Sequence, residues 1–246
     1  KLGIASQPVK EWRGLGLGVS QRWGDFPALT AVPNELTSII RQERETTGVV
    51  PGRRLLDKDF TKDALDRALG RYSVIHVASH FSFQPGAQKS SYLLLGDGSP
   101  FTIEAVENST PMFTNVDLLA LSACNTAMSG DSNGREVEGF GALAQQHGAL
   151  SVLATLWAVA DESTAKLMSD FYRRQTTITG MTKGEALRQS QLEMMRGEGI
   201  GTDLAKRSSR RVGETNGEAA ATFKPDAKHP VHPYFWAPFI LIGNWK

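Results

Sequence analysis

The sequence predicts an α/β fold in which a mostly parallel central sheet carries helices on both faces. Three short runs of apolar and β-branched residues, at 72–78, 116–122 and 150–156, have the length and composition of buried strands. Stretches of helical periodicity separate these runs, and strands that alternate with helices form βαβ units. The chain has 246 residues and no internal repeat, so we expect one domain over 1–246.

Two helices are predicted before the first of these strands, after an apolar glycine-rich run at 14–20. Pro33 fits the first turn of one helix, and Thr61 is a candidate N-cap of the other. Gly70 can end the second helix. Their apolar faces are Leu36, Ile39 and Ile40 in the first helix and Leu65 and Leu69 in the second.

The rest of the chain continues the alternation. A strand candidate at 91–95 lies between turn residues and indicates a hairpin. A polar loop at 129–135 leads into a helix, a further helix begins near Asp161, and a last strand covers 239–242. The inward-facing helix residues are predicted to be Phe140, Leu143 and Ala144 in the first of these helices, and Thr164, Met168, Phe171 and Tyr172 in the second.

Thr182 and Glu185 form a capping-box pattern, which predicts the start of a helix that runs through Met195. Residues 199–230 follow as a long polar loop that contains two pairs of basic residues. A solvated loop is the ordinary interpretation of such a segment, and a processing or regulatory segment is the alternative.

Composition excludes several classes of protein. The formal net charge is only +1, whereas binding to nucleic acid or to an anionic membrane needs clustered cations in excess. The longest nearly apolar run, at 149–160, is shorter than the roughly 20 residues that span a bilayer. Cys124 is the only cysteine, so no internal disulfide forms, and we expect a cytoplasmic protein. Because the chain begins with Lys1, we also expect it to be the C-terminal part of a longer one.

Two polar residues follow buried strands at their carboxyl ends. His80 comes after the strand at 72–78, and Cys124 after the strand at 116–122. Ligands of open α/β sheets bind at this edge, and a thiolate beside an imidazole can carry out acyl transfer. The alternatives are an inert buried cysteine and an ordinary loop histidine. His76 lies within its strand, where we expect a structural, hydrogen-bonded histidine.

Six segments together resemble the CHAT domain, a family of caspase-like cysteine peptidases related to caspases and separases. The segments are 74–81 (VIHVASHF), 91–98 (SYLLLGDG), 119–126 (LALSACNT), 138–144 (EGFGALA), 156–161 (LWAVAD) and 232–243 (HPYFWAPFILIG). The resemblance implies a caspase-like α/β/α sandwich and hydrolysis of peptide bonds in a protein substrate, with no cofactor. It makes Cys124 the nucleophile and His80 the catalytic histidine. It also implies an upstream helical-repeat region or activating partner in bacterial signalling or defence.

One position departs from the pattern of the caspase relatives, which usually have glycine after the catalytic histidine. This chain has Phe81 there, although its backbone N–H can still form an oxyanion hole with the N–H of Cys124. Asp161 resembles a separase aspartate that binds a basic substrate side chain, and it also fits a helix N-cap. His229 and His232 lack an evident third ligand, so we assign no metal. A latent or non-catalytic interaction module remains the alternative function.

Overall fold

The structure is a computed structural model that describes residues 11–82, 88–122, 124–125, 135–157, 159, 161–197 and 231–246, with backbone only at 88, 124, 125, 135–139 and 161. The described strands are β1 (Gly14–Gly18), β2 (Ile40–Arg41), β3 (Val50–Leu56), β4 (Val74–Ala78), β5 (His80–Ser82), β6 (Tyr92–Leu94), β7 (Pro100–Thr102), β8 (Leu118–Leu121), β9 (Cys124–Asn125), β10 (Ser151–Thr155) and β11 (Phe239–Gly243). The described helices are α1 (Val32–Ile39), α2 (Lys62–Ala68), α3 (Ile103–Glu107), α4 (Arg135–Gln146), α5 (Asp161–Thr177), α6 (Lys183–Arg196) and α7 (Pro233–Trp236).

The strands form two sheets of different size. The large sheet has seven strands in the order β11-β10-β8-β4-β1-β3-β2, and only the β10–β11 pair is antiparallel. The small sheet has the order β7-β6-β5-β9 and begins where the chain leaves β4 and β8. This arrangement confirms the predicted α/β class with a mostly parallel central sheet, and it is consistent with a caspase-like fold.

Helices cover both faces of the large sheet, as predicted. Alternate residues of β4 show the division, because Ile75 and Val77 pack with α2, α3 and α4, whereas Val74 packs with α1, α5 and α6. The predicted stripe on α5 is buried, including Met168, Phe171 and Tyr172. None of the helices in the described ranges is long and apolar enough to cross a bilayer.

The glycine-rich run forms β1, and its alternation of glycine and leucine lets α1 lie close to the sheet. Leu15 and Leu17 enter the core on one face. On the other face, a Cβ at Gly16 would lie 3.2 Å from one methyl group of Leu36, and a Cβ at Gly18 would lie 2.7 Å from the other. Glycine therefore sets the distance between α1 and the sheet, and with it the path of the loop that joins β1 to α1.

The helix ends follow the sequence in most details. Thr61 caps α2, and Gly70 has the positive φ, 79°, of a helix stop. Thr182 caps α6 by accepting from the backbone N–H of Glu185. The carboxylate of Glu185 accepts from Arg188 and Gln189, and these bonds lower its pKa to about 2.

Three predicted features differ from the structure or fall outside it. Ile40, predicted on the helix face, begins β2 instead, because the chain becomes extended where α1 ends. The alternative of an ordinary loop histidine does not hold for His80, since this residue starts a strand of the small sheet. The predicted loops at 129–135 and 199–230 lie outside the described residues, apart from Arg135, where α4 begins.

Candidate active site

The small sheet brings the backbones of His80 and Cys124 together. β4 and β8 are parallel neighbours in the large sheet, with Val77 opposite Leu121 at their carboxyl ends. Both chains then pass into the small sheet, where β5 and β9 pair in parallel and His80 lies directly opposite Cys124. Neighbouring strands are about 4.8 Å apart. The side chain of Cys124 lies outside the described residues, so the observed juxtaposition is one of backbone register.

Hydrogen bonds fix the two chain segments that pass from the large sheet into the small sheet. The backbone N–H of Ser122 donates to the carbonyl of Val77 at 2.8 Å, just before β9. Ser79, fully buried between β4 and β5, donates its hydroxyl to the carbonyl of Leu94 at 2.6 Å. A serine between two strands therefore ties the segment before His80 to β6.

The imidazole of His80 has a defined orientation. It is fully buried, and its Nε2 lies 2.9 Å from the carbonyl oxygen of Pro27. Because a carbonyl only accepts, Nε2 carries the proton and Nδ1 carries the lone pair of the neutral ring. The ring of Phe26 packs against the imidazole, with 5.0 Å between centroids.

The pKa of His80 is lowered, chiefly because burial disfavours the imidazolium. The hydrogen bond to the Pro27 carbonyl acts in the opposite direction and favours the protonated ring. Burial has the larger effect, so the imidazole is neutral at pH 7. A neutral imidazole with its lone pair on Nδ1 can accept a proton from an acid such as a thiol.

Asp57 anchors the loop that carries Phe26 and Pro27. Its backbone is left-handed, with φ of 49°, directly after β3. Its carboxylate accepts from the backbone N–H of Ser20 at 2.6 Å, from the Ser20 hydroxyl at 2.7 Å and from the N–H of Gln21 at 3.3 Å. These contacts fix the start of the β1–α1 loop, and so the position of the carbonyl that binds His80.

Sequence reasoning did not identify Asp57, Phe26 or Pro27. Pro27 and His80 are far apart in the chain, as are Ser20 and Asp57, and no periodic pattern links such pairs. The one local signal was an aromatic residue followed by proline in the loop after the glycine-rich strand. That signal indicates a turn and does not indicate which side chain the turn supports.

Phe81 has a packing role that glycine could not fill. Its ring packs edge-to-face on Phe140 of α4 at 5.7 Å and joins the main hydrophobic core. Its backbone pairs with Leu93 of β6 on one side and with Asn125 of β9 on the other. The departure from glycine therefore anchors the small sheet to α4, and the oxyanion-hole role of the Phe81 and Cys124 N–H groups stays a prediction.

Asp161 is the first residue of α5. An aspartate in the first turn stabilises a helix through the helix dipole. Its side chain lies outside the described residues, so its proposed contact with a basic substrate residue stays a prediction. Nearby, Trp157 donates to the backbone carbonyl of Tyr234 at 3.0 Å and ties the segment before α5 to α7.

His76 is a structural histidine, as predicted. Its Nε2 lies 2.9 Å from the Glu35 carboxylate, and the hydroxyl of Tyr172 lies 3.3 Å from its Nδ1. All three side chains are buried. Burial, and after it the charge of Glu35, raise the pKa of Tyr172 well above its ordinary value, so the hydroxyl stays protonated. This chain of bonds links α1 and α5 across β4.

The described residues hold no group of three histidine, cysteine or acidic side chains that could bind a metal ion. His232 caps α7 through its ring Nδ1, which accepts from the backbone N–H of Tyr234 at 3.2 Å. His229 lies outside the described residues.

Comparison with known proteins places the chain in a family. No curated protein matches the chain. A family model described as the CHAT domain matches residues 4–244, essentially the whole chain. The chain therefore belongs to the CHAT domain family, a caspase-like family related to cysteine peptidases.

Proposed function

We propose that this protein is a cysteine endopeptidase in which Cys124 is the nucleophile and His80 is the general base and acid. The observation that carries the proposal is the backbone register of the small sheet, with His80 directly opposite Cys124. The orientation of the imidazole supports it, because the Pro27 carbonyl holds the proton on Nε2 and leaves the lone pair on Nδ1.

In the proposed reaction, Nδ1 of His80 takes the thiol proton of Cys124, and the thiolate attacks the carbonyl carbon of the scissile peptide bond. Backbone N–H groups of Phe81 and Cys124 stabilise the resulting oxyanion. The imidazolium then gives its proton to the leaving amine as the C–N bond breaks, which leaves a thioester. Water, deprotonated by the imidazole, attacks the thioester and releases the acid product and the thiol.

The substrate in this proposal is a protein, and Asp161 selects a basic residue beside the scissile bond. A carboxylate that faces arginine makes a bidentate, charge-assisted contact. We place the activity in the cytoplasm, within bacterial signalling or defence, where an upstream helical-repeat region or a partner activates a single peptidase domain. A basic stretch within 199–230 serves there as a processing segment. This part of the proposal rests on what the resemblance of the sequence motifs implies.

A latent or non-catalytic interaction module is the second candidate, and the burial of His80 favours it. The imidazole is fully buried and Phe26 covers one face of it. A peptidase with this geometry needs its loops rearranged before a substrate reaches the histidine. A peptide with an electrophilic group distinguishes the two functions, because rapid labelling of Cys124 in the isolated chain excludes latency.

The test of catalysis is cleavage of a random peptide library, read by mass spectrometry. Cys124→Ala and His80→Ala should each abolish cleavage. His147→Ala is the matched control, because His147 follows α4 at the opposite edge of the large sheet. Unfolding curves should show that all three variants are folded. Retained cleavage in both the Cys124 and His80 variants would overturn the proposal.

A further inference from the structure

An open groove lies beside the small sheet, with a volume of about 540 Å³. The rings of Trp23 and Phe26 line it from the β1–α1 loop, and Tyr92, Leu94 and Pro100 line it from β6 and β7. Its volume lies within the roughly 300–1,000 Å³ of ligand-binding pockets. The family match does not assign any role to this groove.

The floor of the groove is the same sheet face that carries His80. β6 and β7 are antiparallel, with Leu94 opposite Pro100, and continuing the β5–β6 register places His80 opposite Leu94. Directly opposed residues in a sheet point to the same side. The ring of Phe26 agrees with this, since it contacts both the imidazole of His80 and the ring of Tyr92, with centroids 5.0 and 6.4 Å away.

The groove is held open by backbone structure. Trp23 and Phe26 exchange two backbone hydrogen bonds, of 3.1 and 2.8 Å, which close a tight turn. The Trp23 ring rests on Gly98, where a Cβ would lie 2.5 Å from the ring, and the φ of Gly98 is 84°. Trp23 is nevertheless 36% exposed. The Trp23 wall of the groove is therefore in place before any ligand binds.

The charges around the groove favour an apolar occupant. Lys89 lines the groove, and its ammonium group is paired with Glu107 at 3.1 Å, so its charge is offset. Glu104 also lines the groove, and the floor is formed by Leu94 and Pro100. Aromatic walls above an aliphatic floor fit a phenyl or indole ring through offset or edge contacts.

We propose that this groove binds a large apolar or aromatic side chain of an extended peptide whose scissile bond lies at His80 and Cys124. This inference rests on the proposed peptidase function and adds a specificity site to it. β9 and β6 are two strand spacings apart, about 10 Å, and an extended peptide advances about 3.3 Å per residue. The bound side chain therefore lies about three residues from the scissile bond.

Binding is tested first without catalysis, on the Cys124→Ala protein. N-acetyl-phenylalaninamide, N-acetyl-alaninamide and N-acetyl-lysinamide are titrated by saturation-transfer NMR. The phenylalanine probe should bind at least about fivefold more tightly than the other two. Adding Trp23→Ala should abolish that preference, and Trp23→Phe should retain most of it. Trp245→Ala, which removes a 56% exposed tryptophan outside the groove, should have no effect.

Equal binding of the three probes, preference for the lysine probe, or an unchanged preference after Trp23→Ala would each overturn the groove assignment. The lysine outcome would indicate a cation held by the aromatic rings and Glu104. In peptide pools cleaved by the active protein, Trp23→Ala should lower kcat/KM at least about tenfold for peptides with an aromatic residue at one position. If the groove binds its probe and no peptide is cleaved, the latent or non-catalytic module is favoured over the peptidase, and the groove assignment stands.

Discussion

The left-handed backbone of Asp57 predicts the order of stability among proteins in which this residue is replaced. Asp57 has a φ of 49°, and its carboxylate anchors Ser20 and Gln21 at the start of the β1–α1 loop. Replacing it with alanine removes the anchor and keeps the strained backbone. Replacing it with glycine removes the anchor and relieves the strain.

The magnitudes follow from the hydrogen bonds and the backbone. Hydrogen bonds to a charged group contribute about 1.5–3 kcal/mol each. Because Asp57 is half-buried, water replaces part of the lost bonding, so loss of the Asp57 anchor costs about 2 kcal/mol. A left-handed alanine costs about 1–2 kcal/mol more than glycine. Asp57→Ala should therefore be the least stable variant, with Asp57→Gly about 1 kcal/mol more stable. Asp57→Asn should be closest to the wild type, because asparagine tolerates this conformation and keeps one oxygen acceptor.

Urea unfolding measures this order, and Asp97 supplies the matched control. Like that of Asp57, the carboxylate of Asp97 accepts a hydrogen bond from the backbone N–H of a serine. The donor is Ser99, at 3.0 Å. Asp97 has no positive φ. At that position glycine should be less stable than alanine, the reverse of the order at Asp57. If Asp57→Ala is as stable as Asp57→Gly, the backbone strain has no energetic weight and the reasoning is wrong.

Three further predictions concern other parts of the molecule. Because burial lowers the pKa of His80, the rate at which an electrophilic peptide labels Cys124 should fall only below about pH 6.5, whereas with an ordinary histidine half of the rate would be lost by that pH. A labelling rate that already falls above pH 6.5 would contradict this. Thr182→Ala should lower the free energy of unfolding in urea by about 1 kcal/mol, and Glu185→Gln should lower it by less, because of these two residues only the threonine caps α6. Equal losses of stability would instead indicate that both residues cap the helix. Asp117→Ala should cost about 3 kcal/mol and more than Lys183→Met, because it leaves a buried ammonium group unpaired; the opposite order in the same assay would contradict that.

The large sheet could be predicted because its signals are local. The runs at 72–78, 116–122 and 150–156 are long enough to mark buried strands, and each contains a strand of the structure. The rule that parallel strands deliver their following residues to one edge then placed His80 and Cys124 near each other. The register agrees with that expectation at the level of the backbone.

The small sheet could not be predicted, because its strands are too short to show a period. β5 has three residues and β9 has two. Their pairing depends on where β4 and β8 end in three dimensions, and a two-residue strand has no alternation to detect. The residues that orient His80 could not be predicted either. Pro27 acts through its backbone carbonyl and Asp57 through the turn that it anchors, and neither interaction has a sequence motif.

The β1–α1 loop connects these features physically. Phe26 lies against the imidazole of His80 and also forms a wall of the groove, so a ligand that moves this ring changes the cover over the histidine. The next residue, Pro27, sets the tautomer of that histidine. The loop is fixed at its start by Asp57, whose strained backbone persists because the surrounding bonds determine it. Occupancy of the groove and exposure of His80 should therefore be coupled, and weakening the Asp57 anchor should change both.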